Sequence, residues 1–296
     1  MQLEFFLKFP SMERESLRDL KKGIDLTFKD FSREYGDSIE GFFGPLLKFL
    51  VWFERFLITT PWPLIILLLS FLAWLSSRNI KLAIGTAISF FLIGYFGMWK
   101  DTMSTMAIIS VATLLCLILG TPIGIVMARS DRLKYILSPV LDMMQTIPTF
   151  VYLIPIIMLL GIGKVPGLLA VCVYAIPPIV RLTNLGIREV DKRVVEAAKA
   201  LGIKKRVILY KIEIPLALPS IMTGVNQTIM MALAMVVIAS MIGVSGLGVP
   251  ILRSISNQFL ALGLMNGLAI VALAIIFDRI SQNYARRIQK HKIAKK

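Results

Sequence analysis

TMSTMAIISVATLLCLILGTPIGIVMA, residues 102–128, runs for 27 positions without Asp, Glu, Lys, Arg or His. Wound as an α-helix rising about 1.5 Å per residue it is about 40 Å long, more than the ~30 Å hydrocarbon core of a bilayer. Its apolar residues surround the whole helix rather than forming one stripe, so it cannot be the half-buried helix of a soluble domain. It is a membrane span.

Working outward, six more uncharged runs follow the same logic: Phe56–Ser77, Leu82–Trp99, Met143–Gly163, Val165–Val180, Ile214–Leu252 and Ser254–Phe277. Over 296 residues, 56% are hydrophobic and only 17% charged, more apolar surface than one soluble core can bury. The expected fold is an all-α polytopic membrane protein with about seven transmembrane helices. Ile214–Leu252 is too long for one crossing, and its Gly243–Pro250 end reads as a non-helical segment at the outer face.

The formal net charge of +15 would suggest nucleic acid on a soluble domain, but here its placement matters more. One set of connections and the C-terminal tail hold 21 basic residues, and the alternate set holds only Lys100, Lys164 and Arg253. The positive-inside rule then puts the C-terminus in the cytoplasm and, with seven crossings, the N-terminus outside. The segment before Phe56, with nine basic and ten acidic residues, does not resist export.

Several chemistries fall away. Cys116 and Cys172 lie within apolar spans without a His or Cys close in sequence, so no metal site is expected, and His291 in the tail has no partner for catalysis. The spans lack a convergent set of titratable groups for an enzyme and a filter motif for a channel. Asp142 is the only acid near mid-span depth and is expected at the cytoplasmic end of its helix, which argues against an ion-coupled secondary transporter. Met1–Pro10 lacks the features of a cleaved signal, and no G-x-x-x-x-G-K-[ST] phosphate loop occurs. No cofactor is expected.

Four regions follow. Residues 1–55 form an amphipathic extension, with Leu17, Leu20, Ile24, Phe28, Phe31 and Tyr35 at helical spacing; Gly36, Gly41, Gly44 and Pro45 predict at least two helices. It reads as a packing scaffold on the membrane surface or against the bundle, with a sensing role as the alternative. Residues 56–99 give two peripheral spans, 100–284 the core, and 285–296 a basic tail. In the core, polar residues sit at membrane depth, where they are costly unless they face other helices or a water-filled path. Gln145, Tyr152, Asn226, Gln227, Met230 and Ser240 are the candidates for that path, interhelical bonding being the alternative. Gly120 and Gly124, at G-x-x-x-G spacing, predict a close helix contact.

The stretch RLTNLGIREVDKRVVEAAKALGIKKRVILYKIEIPLALP, Arg181–Pro219, is different: polar, and set between two spans. Asp191 can cap a helix built on Val194, Val195, Ala197, Ala198 and Leu201, Gly202 sits where a left-handed stop belongs, and a second short helix follows. Small Ala197 and Ala198 ringed by lysines make a surface another protein can approach closely. From physics alone the segment is either a docking knob or a connecting loop packed under the bundle.

The spacing Glu196-Ala197-Ala198, Gly202, Ile212-Glu213-Ile214-Pro215 resembles the EAA signature of permease subunits of ATP-binding-cassette (ABC) importers, with Ile214 where Leu is usual. QTIPTFVYLIP from Gln145, YAIPPIVRLTNLGIREV from Tyr174 and the stretch Leu218–Gly248 look like the glycine betaine/proline betaine type, over roughly Lys100–Ile280. The resemblance implies a type I importer transmembrane domain, not an enzyme, whose loop 187–215 docks through Glu196, Ala197, Ala198, Gly202, Ile212 and Pro215. It further implies two cytosolic ATPase subunits, a second copy of this chain, an extracytoplasmic binding protein and a quaternary-ammonium solute, in lipid at a bacterial plasma membrane and without nucleic acid. Transport of choline, another quaternary amine or an amino acid is the alternative.

Overall fold

The computed structural model describes residues 11–293, with side-chain surroundings to residue 285, and every regular element among them is a helix. In chain order these are α1 (Arg14–Thr59), α2 (Trp62–Ser77), α3 (Ile80–Tyr95), α4 (Trp99–Arg129), α5 (Asp131–Thr146), α6 (Thr149–Leu160), α7 (Lys164–Arg188), α8 (Lys192–Ala200), α9 (Lys205–Ile208), α10 (Ile214–Ala239), α11 (Gly248–Asn257) and α12 (Leu260–Ile293). The readings made on Met1–Pro10 and on side chains of the basic tail beyond 285 fall outside these residues.

Helix α1 corrects the sequence reading: it runs unbroken for 46 residues through Gly36, Gly41, Gly44 and Pro45. Each glycine costs a helix about 1 kcal/mol, which docking can outweigh. Ser32 Oγ donates to the Met158 carbonyl, Gly36 packs where a Cβ would lie 3.2 Å from the Leu159 carbonyl oxygen, and Leu50 and Leu57 enter the core.

Four stretches are long and apolar enough to cross a bilayer alone: α4, α7, the continuous stretch Lys205–Ile242, and Leu260–Ala285. Two bent pairs, α1 with α2 at 107° and α5 with α6 at 97°, raise the count to six if each is one span. The seventh run is α3, whose 16 residues make only about 24 Å of helix, so length does not support a count of seven. The Met143–Gly163 run also departs from expectation, because it breaks between α5 and α6. Pro148 forces the residue before it out of the helical region, and Ile147 is extended at ψ 129°.

Helix α7 is the centre of the bundle, packed between α4 and α10. The predicted G-x-x-x-G contact is there: a Cβ on Gly124 would lie 2.6 Å from both Thr183 Cβ and the Val180 carbonyl oxygen, and one on Gly120 2.5 Å from Ile179 Cγ2. Cys116 and Cys172 face each other's helices across the same interface as free thiols, and no group that could hold a metal ion occurs among the described residues. Helices α4 and α7 finish, and the Lys205–Ile242 stretch begins, at the end carrying α8, here the loop end. Trp99, Lys164 and the Gly243–Leu247 segment mark the far end. Of the expected non-helical Gly243–Pro250 segment, only Gly243–Leu247 is irregular; Gly248–Pro250 already belong to α11.

Candidate coupling loop and translocation path

Asp191 starts α8, its side chain accepting from the Arg193 backbone N–H at 2.9 Å. Gly202 ends it in the left-handed region at φ +73°, donating to the Lys199 carbonyl at 2.9 Å, while Ile203 N–H reaches the Ala198 carbonyl at 3.1 Å. Within this nine-residue helix the period of 3.6 separates two faces. Val195 packs toward the core and Ala198, three residues on, is buried with it at 4% exposure. Val194, Ala197 and Leu201 lie on the other face, open to solvent together with Glu196. Ala198 therefore does not face outward as its small size suggested. Its size serves close packing of α8 on its own chain.

The expected second short helix is not independent either. Helix α9 passes through five residues of wider π-type turns, Leu209–Glu213, directly into α10. Pro215 explains the widening: it brings no N–H, and its ring would crowd the carbonyl one turn earlier in a regular α-helix. Ile212 and Pro215 are half-buried in this stretch. Glu213 is buried at 6% exposure and pairs with Arg129, the last residue of α4. Sequence reading passed over Glu213. The usable signal was an acid inside the apolar run IEIP, which must find a cation because an unpaired buried carboxylate is too costly.

Further ion pairs tie the same end together. Arg188 donates to Asp131 Oδ1 at 2.6 Å, to Asn184 Oδ1 at 3.0 Å and to the Met127 carbonyl at 2.9 Å. Two turns inside the end of α7, Arg181 pairs with Asp142 of α5. The ends of α4, α5, α7 and α10 are cross-linked at the end of the bundle that carries α8.

The six path candidates do not form one site. Asn226 is committed within the chain: its Nδ2 donates to Asp278 Oδ1 at 2.8 Å and its Oδ1 accepts from Ser281 Oγ at 2.6 Å, clamping α10 to α12. Ser240 bonds back to the Val237 carbonyl, and the Tyr152 hydroxyl lies 3.9 Å from Met235 Sδ. Gln145 is exposed at the α5–α6 break. Gln227 and Met230 remain together, on a face of α10 with Thr223 and Ala234 that continues to Met241 in the turn just after it and that this chain leaves open. These positions recur at three, four and seven residues, one stripe of a helix, and the stripe is polar and methionine-rich rather than purely aliphatic.

Comparison with known proteins places this geometry. Residues 120–290 match the family described as binding-protein-dependent transport system inner membrane component. The glycine betaine/proline betaine transport system permease protein ProW of Escherichia coli K12 is 43% identical over 265 residues, covering 90% of this chain and 73% of that one. The glycine betaine transport system permease protein OpuAB of Bacillus subtilis 168 is 40% identical, covering 88% and 89%. GbuB of Listeria monocytogenes, a glycine betaine/carnitine transport permease protein, is 41% identical, covering 84% and 91%. Among solved structures, an inward-facing form of the MetNI methionine ABC transporter superposes with a TM-score of 0.57 at 19% identity, over 62% of this chain and 93% of that one, a likeness of fold. With more than half its length inside the family match and relatives above 40% identity over most of both chains, the chain belongs to the family of binding-protein-dependent transport system inner membrane components.

Proposed function

We propose that this chain is the permease subunit of an ATP-driven importer of glycine betaine/proline betaine-type osmoprotectants. The observation that carries the reading is the 43% identity over 90% of the chain to a permease named for those solutes. The α8 face of Val194, Ala197 and Leu201, on its cross-linked base, supports it as the surface that meets the ATPase. Glu196, Ala197, Gly202, Ile212 and Pro215 keep their assigned coupling roles, and Ala198 acts from beneath. The loop end is cytoplasmic and the far end meets the binding protein. Two copies of the chain and two ATPase subunits complete the importer, with the open stripe of α10 facing the path between the copies. Alternating access then follows: ATP closes the ATPase pair, α8 is carried with it, and α4, α7 and α10 move as a block because their ends are ion-paired.

The test is uptake of labelled glycine betaine, proline betaine, carnitine and choline by proteoliposomes holding the chain with its ATPase and binding protein. Saturable, ATP-dependent uptake of the betaines is expected. Uptake without an ATPase would overturn the importer reading. Preference for carnitine, which the Listeria relative's name makes the leading competitor, would overturn the solute assignment alone.

A further inference from the structure

The elbow where α1 gives way to α2 closes one side of a cavity of about 520 Å³, within the ~300–1,000 Å³ range of small-molecule sites. Four helices wall it. Ile58 and Thr59 end α1, Trp62 and Ile66 open α2, Phe90, Phe91, Gly94 and Tyr95 end α3, and Trp99 begins α4. Rings follow one another along one wall: Trp62 lies 6.4 Å from Phe91, and Phe91 6.5 Å from Tyr95, centroid to centroid. Gly94 keeps the space open, since a Cβ there would meet only the Trp99 ring, at 3.4 Å.

The cavity is graded in polarity. Thr59 and Thr60 stand where the helices end, at the far end of the bundle, and Ile66 and the buried Phe90 lie a turn or more inside their helices. Ile58 is shared with a second open space of about 200 Å³, lined by Val51, Glu54, Arg55 and Lys164. There Lys164 is paired with Glu54, while Arg55 is exposed and makes no ion pair among the described residues. An unpaired cation therefore adjoins an aromatic, apolar slot. Because α1 turns from α2 by 107°, it lies across the far end while α2 runs along the bundle. The slot opens at the level where headgroups meet hydrocarbon, the level at which Trp and Tyr concentrate.

We propose that this slot is a phospholipid site, with one acyl chain lying in the cavity along Trp62, Phe91 and Tyr95 and the phosphate resting on Arg55. The pairing of a guanidinium with a phosphate is strong and directional, and the long apolar part of the ligand matches the graded wall. A free inorganic anion would leave the cavity unfilled. A betaine carries a carboxylate for Arg55 and a cation for the rings, yet it fills only a small part of the space. A second copy of this chain belongs elsewhere, because no residue of α10, whose open stripe is assigned to that copy, lines the cavity. The bound lipid fixes the elbow and so the level of α1 on the membrane, whichever solute the permease moves.

The test uses the permease purified with its ATPase and washed in detergent, with the phospholipid retained per chain counted by native mass spectrometry. About one tightly held phospholipid per chain is expected in the parent. Gly94→Leu, which fills the cavity, should lower that occupancy at least threefold. Trp62→Ala, at a position 55% exposed, removes a wall without entering the core and should act alike, so the test survives a Gly94→Leu chain that fails to assemble. Arg55→Gln should lower occupancy about two- to threefold, and Arg55→Lys, which keeps the charge, should recover most of it. No retained phospholipid in the parent, or parent occupancy in both Trp62→Ala and Arg55→Gln, would overturn the site. In a Cys116→Ala, Cys172→Ala background, a disulfide between two copies at Tyr95→Cys would put protein over the slot and overturn it too, as would release of the lipid by glycine betaine. Failure of betaine uptake in the parent complex would count against the solute assignment and leave the lipid count standing.

Discussion

The two ends of the bundle each bury one glutamate, and they do so differently. At the far end Glu54, near the C-terminal end of α1, takes the lysine Lys164 and the hydroxyls of Ser104 and Ser245 from three separate elements. At the loop end Glu213 has the single partner Arg129, whose side chain is 38% exposed, in a stretch already widened by Pro215. A many-partner buried node is stable in one arrangement and poor in any other, because parting leaves several polar groups unpaired. A single pair strands only one partner on each side when it parts. The far end is thus held by a many-partner node and the loop end by a single-pair strut, joined through the close α4–α7 contact.

That contact gives the largest expected effect. Gly124→Val puts branched atoms where even a Cβ would stand 2.6 Å from Thr183 Cβ and a backbone carbonyl, and backbone cannot give way cheaply. Little folded permease is expected, read as loss of the monodisperse peak in size-exclusion chromatography. Gly85→Ala, which meets nothing within 4 Å, should elute as the parent does. Normal assembly and uptake in Gly124→Val would mean that the two ends are not linked through this contact.

Next in size is the strut. Glu213→Ala strands Arg129; a fully buried cation would cost about 3–5 kcal/mol, and partial exposure reduces that. The permease should still assemble, with solute moved per ATP hydrolysed falling about tenfold and recovering in the exchange of Arg129→Glu with Glu213→Arg. An unchanged transport ratio would leave the strut as mere fastening. A smaller effect separates the two faces of α8. Leu201→Glu, at a position 79% exposed, should weaken ATPase co-purification several-fold at normal permease abundance, whereas Ala198→Glu, at 4%, should lower abundance first. The opposite pattern would put the docking face on the other side of the helix.

How much of this was legible in the sequence depends on how local the cause is. The cap at Asp191, the left-handed Gly202 and the Gly120/Gly124 contact each follow from a residue and its near neighbours, and the structure has all three. The continuity of α1 was not legible, because what holds it, Met158 and Leu159 against Ser32 and Gly36, lies more than 120 residues away. Ala198 was misplaced for the same reason: spacing alone shows that Val195 and Ala198 share a face, not which way the face points. Glu54 and Glu213 were ordinary acids until their partners from other helices came into view.

The smallest expected effect separates two adjacent amides that composition cannot distinguish. Asn226 and Gln227 are neighbours on α10 and differ by about 100° in direction. Asn226 is bonded to Asp278 and Ser281, so Asn226→Ala removes two hydrogen bonds and leaves Asp278 and Ser281 to rearrange, a loss of about 1–2 kcal/mol. Its melting temperature should fall by a few degrees while the KM for solute stays within error. Gln227 lies on the open stripe with Met230 and supports no interhelical bond in this chain's described contacts, so Gln227→Ala should leave the melting temperature unchanged and raise KM by about two- to threefold. Thermal unfolding followed by intrinsic fluorescence and uptake kinetics at matched abundance measure both. If Asn226→Ala alters KM and Gln227→Ala does not, the path runs along the α10–α12 seam, and the open stripe of α10 has only a packing role.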